Sequence, residues 1–340
     1  MVLVTFAETK VTRARGGTRV ENIIAAGDTK ETLMNDGSTH PKTVRELVLF
    51  AERRFLEANL YFGHGTDNAL DEAAWLVSAT LGIDSERLDV ESGRVPTPAQ
   101  HTELLELIEA RIATRKPLAY LLNEAWFAGL RFYVDERVLV PRSLIGEFIL
   151  DSFRPWVQSP HVHRILDLCT GSGCIAVALA QAFPEARVDA TDISAGALDV
   201  ARINIRANSL EDRVAAIQSD LFAALGERRY DLIVTNPPYV DAVDMAALPV
   251  EFRHEPALAL AAGRQGLDMI VPILAAAADR LNAGGVLVAE VGNSCQALLA
   301  AFPEVAFTWL TDSNSDESVF LITAEDLTRH QARFTAVLGE

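Results

Sequence analysis

From Arg164 to Thr235 short apolar runs alternate with helical stretches, and this alternation narrows the fold more than any other feature of the chain. Candidate strands lie at Ile165–Leu168, Arg187–Ile193, Val214–Ser219 and Tyr230–Thr235, with helices expected at Ile175–Phe183 and Ala195–Asn208. Strand–helix–strand repetition implies right-handed crossovers and parallel strands with helices on both faces. The expectation is an α/β fold with a doubly wound, mostly parallel sheet. Leu232, Ile233 and Val234 agree, because three apolar residues in a row suit a strand covered on both faces. A helix at Met269–Leu281 and a strand at Val286–Val291 continue the pattern. Ala306–Leu310 and Val319–Thr323 are close enough to pair as an antiparallel hairpin.

Upstream the pattern changes to a helical one. Val44, Leu47, Val48 and Leu56 are expected on one helix face, and Asp67 is expected to cap a second helix over Ala69–Leu81. A third helix has Thr97 as its cap, Pro98 at its first position and Gln100 closing a capping box, with Leu104, Leu105, Ile108 and Ile112 as its buried stripe. Between Trp126 and Ser143, aromatic Phe127 and Phe132 with Val134, a polar turn at Asp135–Glu136, and Val138–Val140 read as a β-hairpin. The expected organisation is a mobile extension over 1–40, a helical domain over 41–118, a linking hairpin over 119–145 and the α/β domain over 146–340.

Composition excludes several classes. With 340 residues, 49% hydrophobic and 23% charged, the chain can bury a sizeable core. Its apolar runs stay short of the roughly 18 residues a membrane span needs, and at the N-terminus the apolar residues precede the basic ones, the reverse of an export signal. Three cysteines without metal spacing fit reduced thiols, so a cytoplasmic location is expected. A net charge of −17 disfavours nucleic acid and favours a basic protein partner.

"ILDLCTGSGCIAVALA", from Ile165 to Ala180, reads as strand, glycine-rich turn and helix. Gly171 and Gly173 permit a tight turn and close approach of backbone to ligand. Cys169 stands where a dinucleotide fingerprint has its first glycine, and Ala176 where it has its third. Asp167 closes the strand where a pyrophosphate would be repelled. A ligand with an amino-acid head group and no phosphate fits better, which points to S-adenosyl-L-methionine. Asp192, ending the next strand, is placed to accept from both hydroxyls of a ribose. Asp220 in "SDLF" is placed to accept from an adenine amine, with Leu221 and Phe222 against the ring.

"YDLIVTNPPYVD", Tyr230 to Asp241, ends its strand in Asn236, Pro237, Pro238 and Tyr239. Ligands of open α/β sheets sit outside the carboxyl ends of the strands, and two prolines hold that turn rigid. The complement of a fixed side-chain amide, with one acceptor and two donors, is another planar amide or amidine edge. A proline-rich turn with no ligand fits this stretch equally well on its own.

Taken together, "DLCTGSG", "DATDIS", "SDLF" and "NPPY" resemble class I (Rossmann-like) methyltransferases that act on amide or amine nitrogens, and within them the protein-(glutamine-N5) methyltransferase family. Tyr61–Ala73, Phe132–Glu147 and Glu251–Asp268 resemble its PrmB-type branch, which modifies a large-subunit ribosomal protein. Ser313–Ser318 departs from that pattern in lacking glycines. The resemblance implies cofactor contacts at Asp167, Cys169, Thr170, Gly171, Ser172, Gly173, Asp192, Asp220 and Leu221, and substrate contacts at Asn236, Pro237, Pro238 and Tyr239. It implies S-adenosylmethionine as methyl donor, S-adenosylhomocysteine as product and no metal, since the leaving group is already good. The partner it implies is the free ribosomal protein before ribosome assembly, with no membrane and no nucleic acid. Asn236 and the Pro237 carbonyl would position the glutamine amide, and Tyr239 would wall its side chain. The alternatives are a release-factor glutamine methyltransferase, an adenine-specific nucleic-acid methyltransferase and a non-catalytic assembly factor of the same fold.

Overall fold

In the computed structural model, β1 (Ala125–Phe127) and β2 (Leu130–Phe132) form a short antiparallel ribbon. Seven further strands build one sheet: β3 (Arg164–Leu168), β4 (Arg187–Asp192), β5 (Val214–Gln218), β6 (Tyr230–Thr235), β7 (Leu281–Glu290), β8 (Thr308–Leu310) and β9 (Val319–Thr323). The structure describes residues 41–313 and 317–338; the expected extension over 1–40 lies outside them, as does the middle of the Ser313–Ser318 loop. The strand order is β5-β4-β3-β6-β7-β9-β8. β3 to β7 pair in parallel, and β9 runs antiparallel to both β7 and β8. This is the doubly wound, mostly parallel sheet with an antiparallel strand near its end. Winding reverses beside β3, which has β4 on one side and β6 on the other, so a crevice opens outside the carboxyl ends of these strands.

Both faces of the sheet are buried, and successive residues serve opposite sides because the side-chain period is two. Ile165, Val188, Leu232, Val234 and Val288 join one apolar cluster; Leu166, Leu168, Ile233, Leu287 and Ala289 join the other. Each such Val, Leu or Ile side chain contributes about 1.5–3 kcal/mol on burial.

Several elements differ from expectation. The hairpin turns at Ala128–Gly129, both at positive φ (48° and 77°), and not at Asp135–Glu136. Two-residue hairpins favour such primed turns, and Gly129 adopts one without strain. Asp135 instead closes a local turn in which its carboxylate accepts from the Arg137 backbone N–H at 3.0 Å and from its guanidinium. The helix expected at Met269–Leu281 spans Ile270–Ala277, and β7 begins earlier than expected, at Leu281. A closing helix, Ala324–Val337, capped by Thr323, was not anticipated.

Residues 41–124 together with Pro249–His254 form a separate helical unit, whereas Ala125–Leu248 and the chain from Glu255 onward group with the sheet. Its main helices are Val44–Glu57, Ala69–Leu81 and Pro98–Thr114. The Thr97–Gln100 capping box forms as expected. The second helix is capped by Asn68, whose side chain accepts from Asp71, and not by Asp67. Leu56 is 58% exposed while Phe55 is buried. At 3.6 residues per turn, Phe55 returns almost to the face of Val44, and Leu56 lands roughly a third of a turn away.

Arg111 was not expected in this core, yet it is 0% exposed. Its Nε donates to Glu72 at 2.7 Å and its Nη2 to the Tyr61 carbonyl at 3.0 Å. Removing one partner of a buried ion pair leaves the other charge uncompensated, at a cost of about 3–5 kcal/mol, whereas removing both is far milder. Glu72→Met and Arg111→Met should therefore each destabilise the chain in urea more than the double substitution does. A double substitution costing the sum of the two would contradict this account.

Candidate active site

A cavity of about 250 Å³ opens at the carboxyl ends of the strands. Its walls come from the loop after β3 (Cys169 to Ser172), the ends of β4 and β5 (Asp192, Asp220, Leu221), and the turn after β6 (Asn236, Pro238). Five expected site residues, Asp167, Gly173, Phe222, Pro237 and Tyr239, do not line it.

The loop after β3 holds an unusual backbone course, with Cys169, Gly171 and Gly173 all at positive φ (58°, 55° and 78°). Gly173 also packs tightly: a Cβ there would lie 3.1 Å from that of Ala201. Side chains behind the loop fix it. Thr170 donates its hydroxyl to Asp167, which is fully buried, and burial pushes that carboxyl up to about 7. Asn204 donates to the Ser172 carbonyl at 2.8 Å and pairs through its oxygen and amide with both backbone groups of Tyr133. Burial, with Asp192 nearby, raises the Cys169 thiol, so it contributes a neutral wall and no thiolate.

Asp192 is fixed from two sides, since one oxygen accepts from Gly171 N–H and the other from Ser194 N–H, both at 2.9 Å. Each oxygen keeps a further lone pair. Burial raises this carboxyl. Asp220 is exposed, and Leu221 beside it is at positive φ, 44°. Phe222, expected alongside Leu221, is instead buried in the core.

Asn236 follows β6, whose last residue, Thr235, donates to the Leu168 carbonyl at 3.0 Å and so ties β6 to β3. The Asn236 Oδ1 is buried and accepts no hydrogen bond from any described residue. Pro237 is buried. Tyr239 donates its hydroxyl to Glu290 at 3.2 Å, and its carbonyl accepts from Ser294 at 2.8 Å.

Other walls escaped the sequence reading. Arg137, Leu139, Pro141, Arg142 and Ser143 line the cavity from the segment after β2, and Pro256, Leu258 and Ala259 line it from a later loop. Arg142 is held by both oxygens of buried Glu255, at 2.6 and 2.8 Å. No local sequence pattern marks that pair, whose partners lie 113 residues apart. His64 is buried against Phe252, ring centroids 4.3 Å apart, and His254 contacts the Thr114 carbonyl, both within the helical unit. Among the described residues no group of three or more His, Cys, Asp or Glu is placed to hold a metal ion.

These residues fit S-adenosylmethionine. The acids Asp192 and Asp220 suit a cationic ligand with hydroxyls and an amine and oppose a pyrophosphate, Leu221 and Ile193 offer apolar contact, and the buried Asn236 acceptor is left for a donor.

Comparison with known proteins gives the lineage. Residues 152–263 match the methyltransferase small domain family, and residues 53–122 match the PrmC N-terminal domain family. The ribosomal protein uL3 glutamine methyltransferase of Neisseria gonorrhoeae is 48% identical over 296 residues, covering 87% of this chain and 99% of that protein. Its counterpart in Bordetella pertussis is 46% identical over 296 residues (87% and 99%), and that of Burkholderia pseudomallei 48% over 302 (86% and 98%). At this identity and coverage, the chain belongs to the ribosomal protein uL3 glutamine methyltransferase family.

Proposed function

We propose that the chain transfers a methyl group from S-adenosylmethionine to the side-chain amide nitrogen of a glutamine in ribosomal protein uL3, before that protein enters the ribosome. The observation that carries this reading is Asn236: a buried amide oxygen in a cavity wall, with no donor among the described residues, at the strand end where such a sheet binds ligands. A glutamine amide supplies the missing donor.

Bound S-adenosylmethionine supplies a methyl group on a positively charged sulfur, already a good leaving group. The protein's part is binding and aim. Asp192, its carboxylate set by two backbone N–H groups, accepts from ribose hydroxyls, and Asp220 and Leu221 take the adenine. Cys169 to Ser172 form the floor under the amino-acid portion, with Asp167 holding that loop through Thr170.

A glutamine nitrogen is a weak nucleophile because its lone pair is delocalised, and an ordinary side-chain base does not deprotonate it. Orientation is what remains, and it can supply roughly 7–11 kcal/mol. Asn236 Oδ1 accepts one amide hydrogen and Nδ2 donates to the glutamine oxygen. The Pro237 carbonyl takes the other hydrogen, and Pro237 and Pro238 keep the turn from yielding. After it gains the methyl group the nitrogen is positively charged and releases one of its two hydrogens as a proton to water.

The net charge of −17 favours a basic protein over an RNA. No helix of the described residues is long and apolar enough to cross a membrane. A cytoplasmic site of action follows from the proposed substrate, which is made there.

Tritium from labelled cofactor should therefore pass rapidly to free uL3, slowly to a peptide release factor or to assembled ribosomes, and not to RNA. Equal transfer to the release factor would remove the uL3 assignment while leaving the amide chemistry, and transfer to RNA would remove both.

Single substitutions should split binding from turnover. Asn236→Asp replaces a donor with a charged acceptor facing the glutamine oxygen, and should lose at least about a hundredfold in single turnover, roughly 2.7 kcal/mol, with cofactor affinity nearly unchanged. Asp192→Ala should instead weaken cofactor binding at least about tenfold, since hydrogen bonds to a charged group contribute about 1.5–3 kcal/mol each. Calorimetry beside single-turnover assays checks both; retained turnover in Asn236→Asp contradicts the amide reading.

A further inference from the structure

Glu290 ends β7, the strand beside β6, and is 1% exposed. It does not line the cavity, but it grips two segments that do. One carboxylate oxygen accepts from the Ser143 hydroxyl and, at 3.1 Å, from the Leu144 backbone N–H; the other accepts from the Tyr239 hydroxyl at 3.2 Å. Ser143 is itself a cavity wall, and Tyr239 follows Asn236 in the same short turn. The chain just past β7 holds the rest of Tyr239. Ser294 donates to its carbonyl, and its ring lies so close over Gly292 that a Cβ there would come within 2.4 Å of it. Two prolines separate Tyr239 from Asn236, so the turn moves as one piece.

We propose, resting on the methyl-transfer reading above, that Glu290 is a positioning residue for the reaction: its carboxylate ties Tyr239 to Ser143 and thereby sets the aim of Asn236. The work of Tyr239 is then done through its hydroxyl and not by walling the substrate.

Charge makes the clamp depend on pH. The titratable and charged groups facing Glu290 are Tyr239 from the turn after β6 and Arg142 from the segment after β2, with Glu255 bound to Arg142. Burial pushes Glu290 up to about 7, against the pull of Ser143, Tyr239, Leu144 and Arg142. Tyr239 is raised well above its ordinary value, by burial and then by Glu290, and stays a donor throughout. Above about 7 the carboxylate offers acceptors to all three donors. Below that it carries a proton, loses acceptor capacity and loosens its hold. Stability runs the other way. A carboxyl raised in the fold from 4.5 to about 7 stabilises below its ordinary value, and that contribution is lost as pH rises through about 7. Turnover and stability should thus move in opposite directions, which a merely structural residue would not produce.

Glu290→Gln keeps the shape and mimics the protonated acid. In the full-length chain, with cofactor saturating and uL3 as substrate, it should lower kcat at least about tenfold at pH 8, leave cofactor affinity within about twofold and leave the thermal midpoint at that pH undiminished. The wild-type decline in kcat below about pH 7 should be absent from the variant. Asp167, also pushed up to about 7, remains in the variant, so only a limb that disappears with Glu290 counts. Tyr239→Phe should lower kcat in the same direction by less, and should add little to Glu290→Gln. Wild-type kcat in Glu290→Gln, a retained acid limb, or turnover lost in step with the thermal midpoint would each overturn the proposal. Should Glu290→Gln not fold, Tyr239→Phe and Ser143→Ala decide, and wild-type kcat in both overturns it. A wild-type chain that methylates no glutamine contradicts the methyl-transfer reading and the clamp with it. A wild-type chain that does so while Glu290→Gln matches it contradicts the clamp alone.

Discussion

A carboxylate removed from water must collect donors or give up its charge, and the carboxyl edge of this sheet is organised around that requirement. Asp167 takes the Thr170 hydroxyl, Asp192 the backbone of Gly171 and Ser194, Glu255 the Arg142 guanidinium with the Val140 N–H, and Glu290 the hydroxyls of Ser143 and Tyr239. Each donor belongs to a loop or turn that is the cavity wall or abuts it. Leaving such a group unmet costs more than a neutral hydrogen bond contributes, so the acids act as fixed points to which irregular backbone is tied. The helical unit uses the same device. Glu251 accepts from the Tyr61 N–H and from Arg115, and Glu72 holds Arg111.

Asn236 differs from these acids in being neutral and in lining the cavity. Its amide oxygen is buried and, like Asp167 Oδ1 and Glu251 Oε2, accepts from no described residue. A neutral acceptor with a fixed turn behind it can bind an amide edge without repelling the carbonyl oxygen beside it, which a carboxylate could not. The same neutrality leaves the cavity's negative charge at Asp192 and Asp220, the side proposed for the methyl donor.

How much of this could be read from the sequence depended on the range of the interactions. Tyr230–Thr235 and Val319–Thr323 were placed to the residue, because doubly covered strands carry consecutive apolar residues, here Leu232–Val234 and Val319–Ile322. Ala324–Val337 escaped because it buries only Ala324, Leu327 and Phe334 among many charges, too sparse a stripe to stand out. The hairpin was misplaced because Asp135 and Glu136 look more like a turn than Ala128 and Gly129 do. In the site, the glycine loop, Asp192, Asp220 and Asn236 were legible since each follows or ends a strand. Arg142, Glu255, Ser143 and Glu290 were not, because their bonds span 113 and 147 residues of chain and no local pattern encodes them.

The central claim is that the cavity presents a glutamine side-chain amide, and no other nucleophile, to the methyl donor. The most direct measurement is tandem mass spectrometry of free uL3 after reaction with cofactor carrying a deuterated methyl group. The account predicts one labelled residue, a glutamine, with the label on its side-chain nitrogen and released as methylamine on acid hydrolysis. Label on a lysine, an arginine or the N-terminal amine, or label that acid hydrolysis does not release, would contradict it.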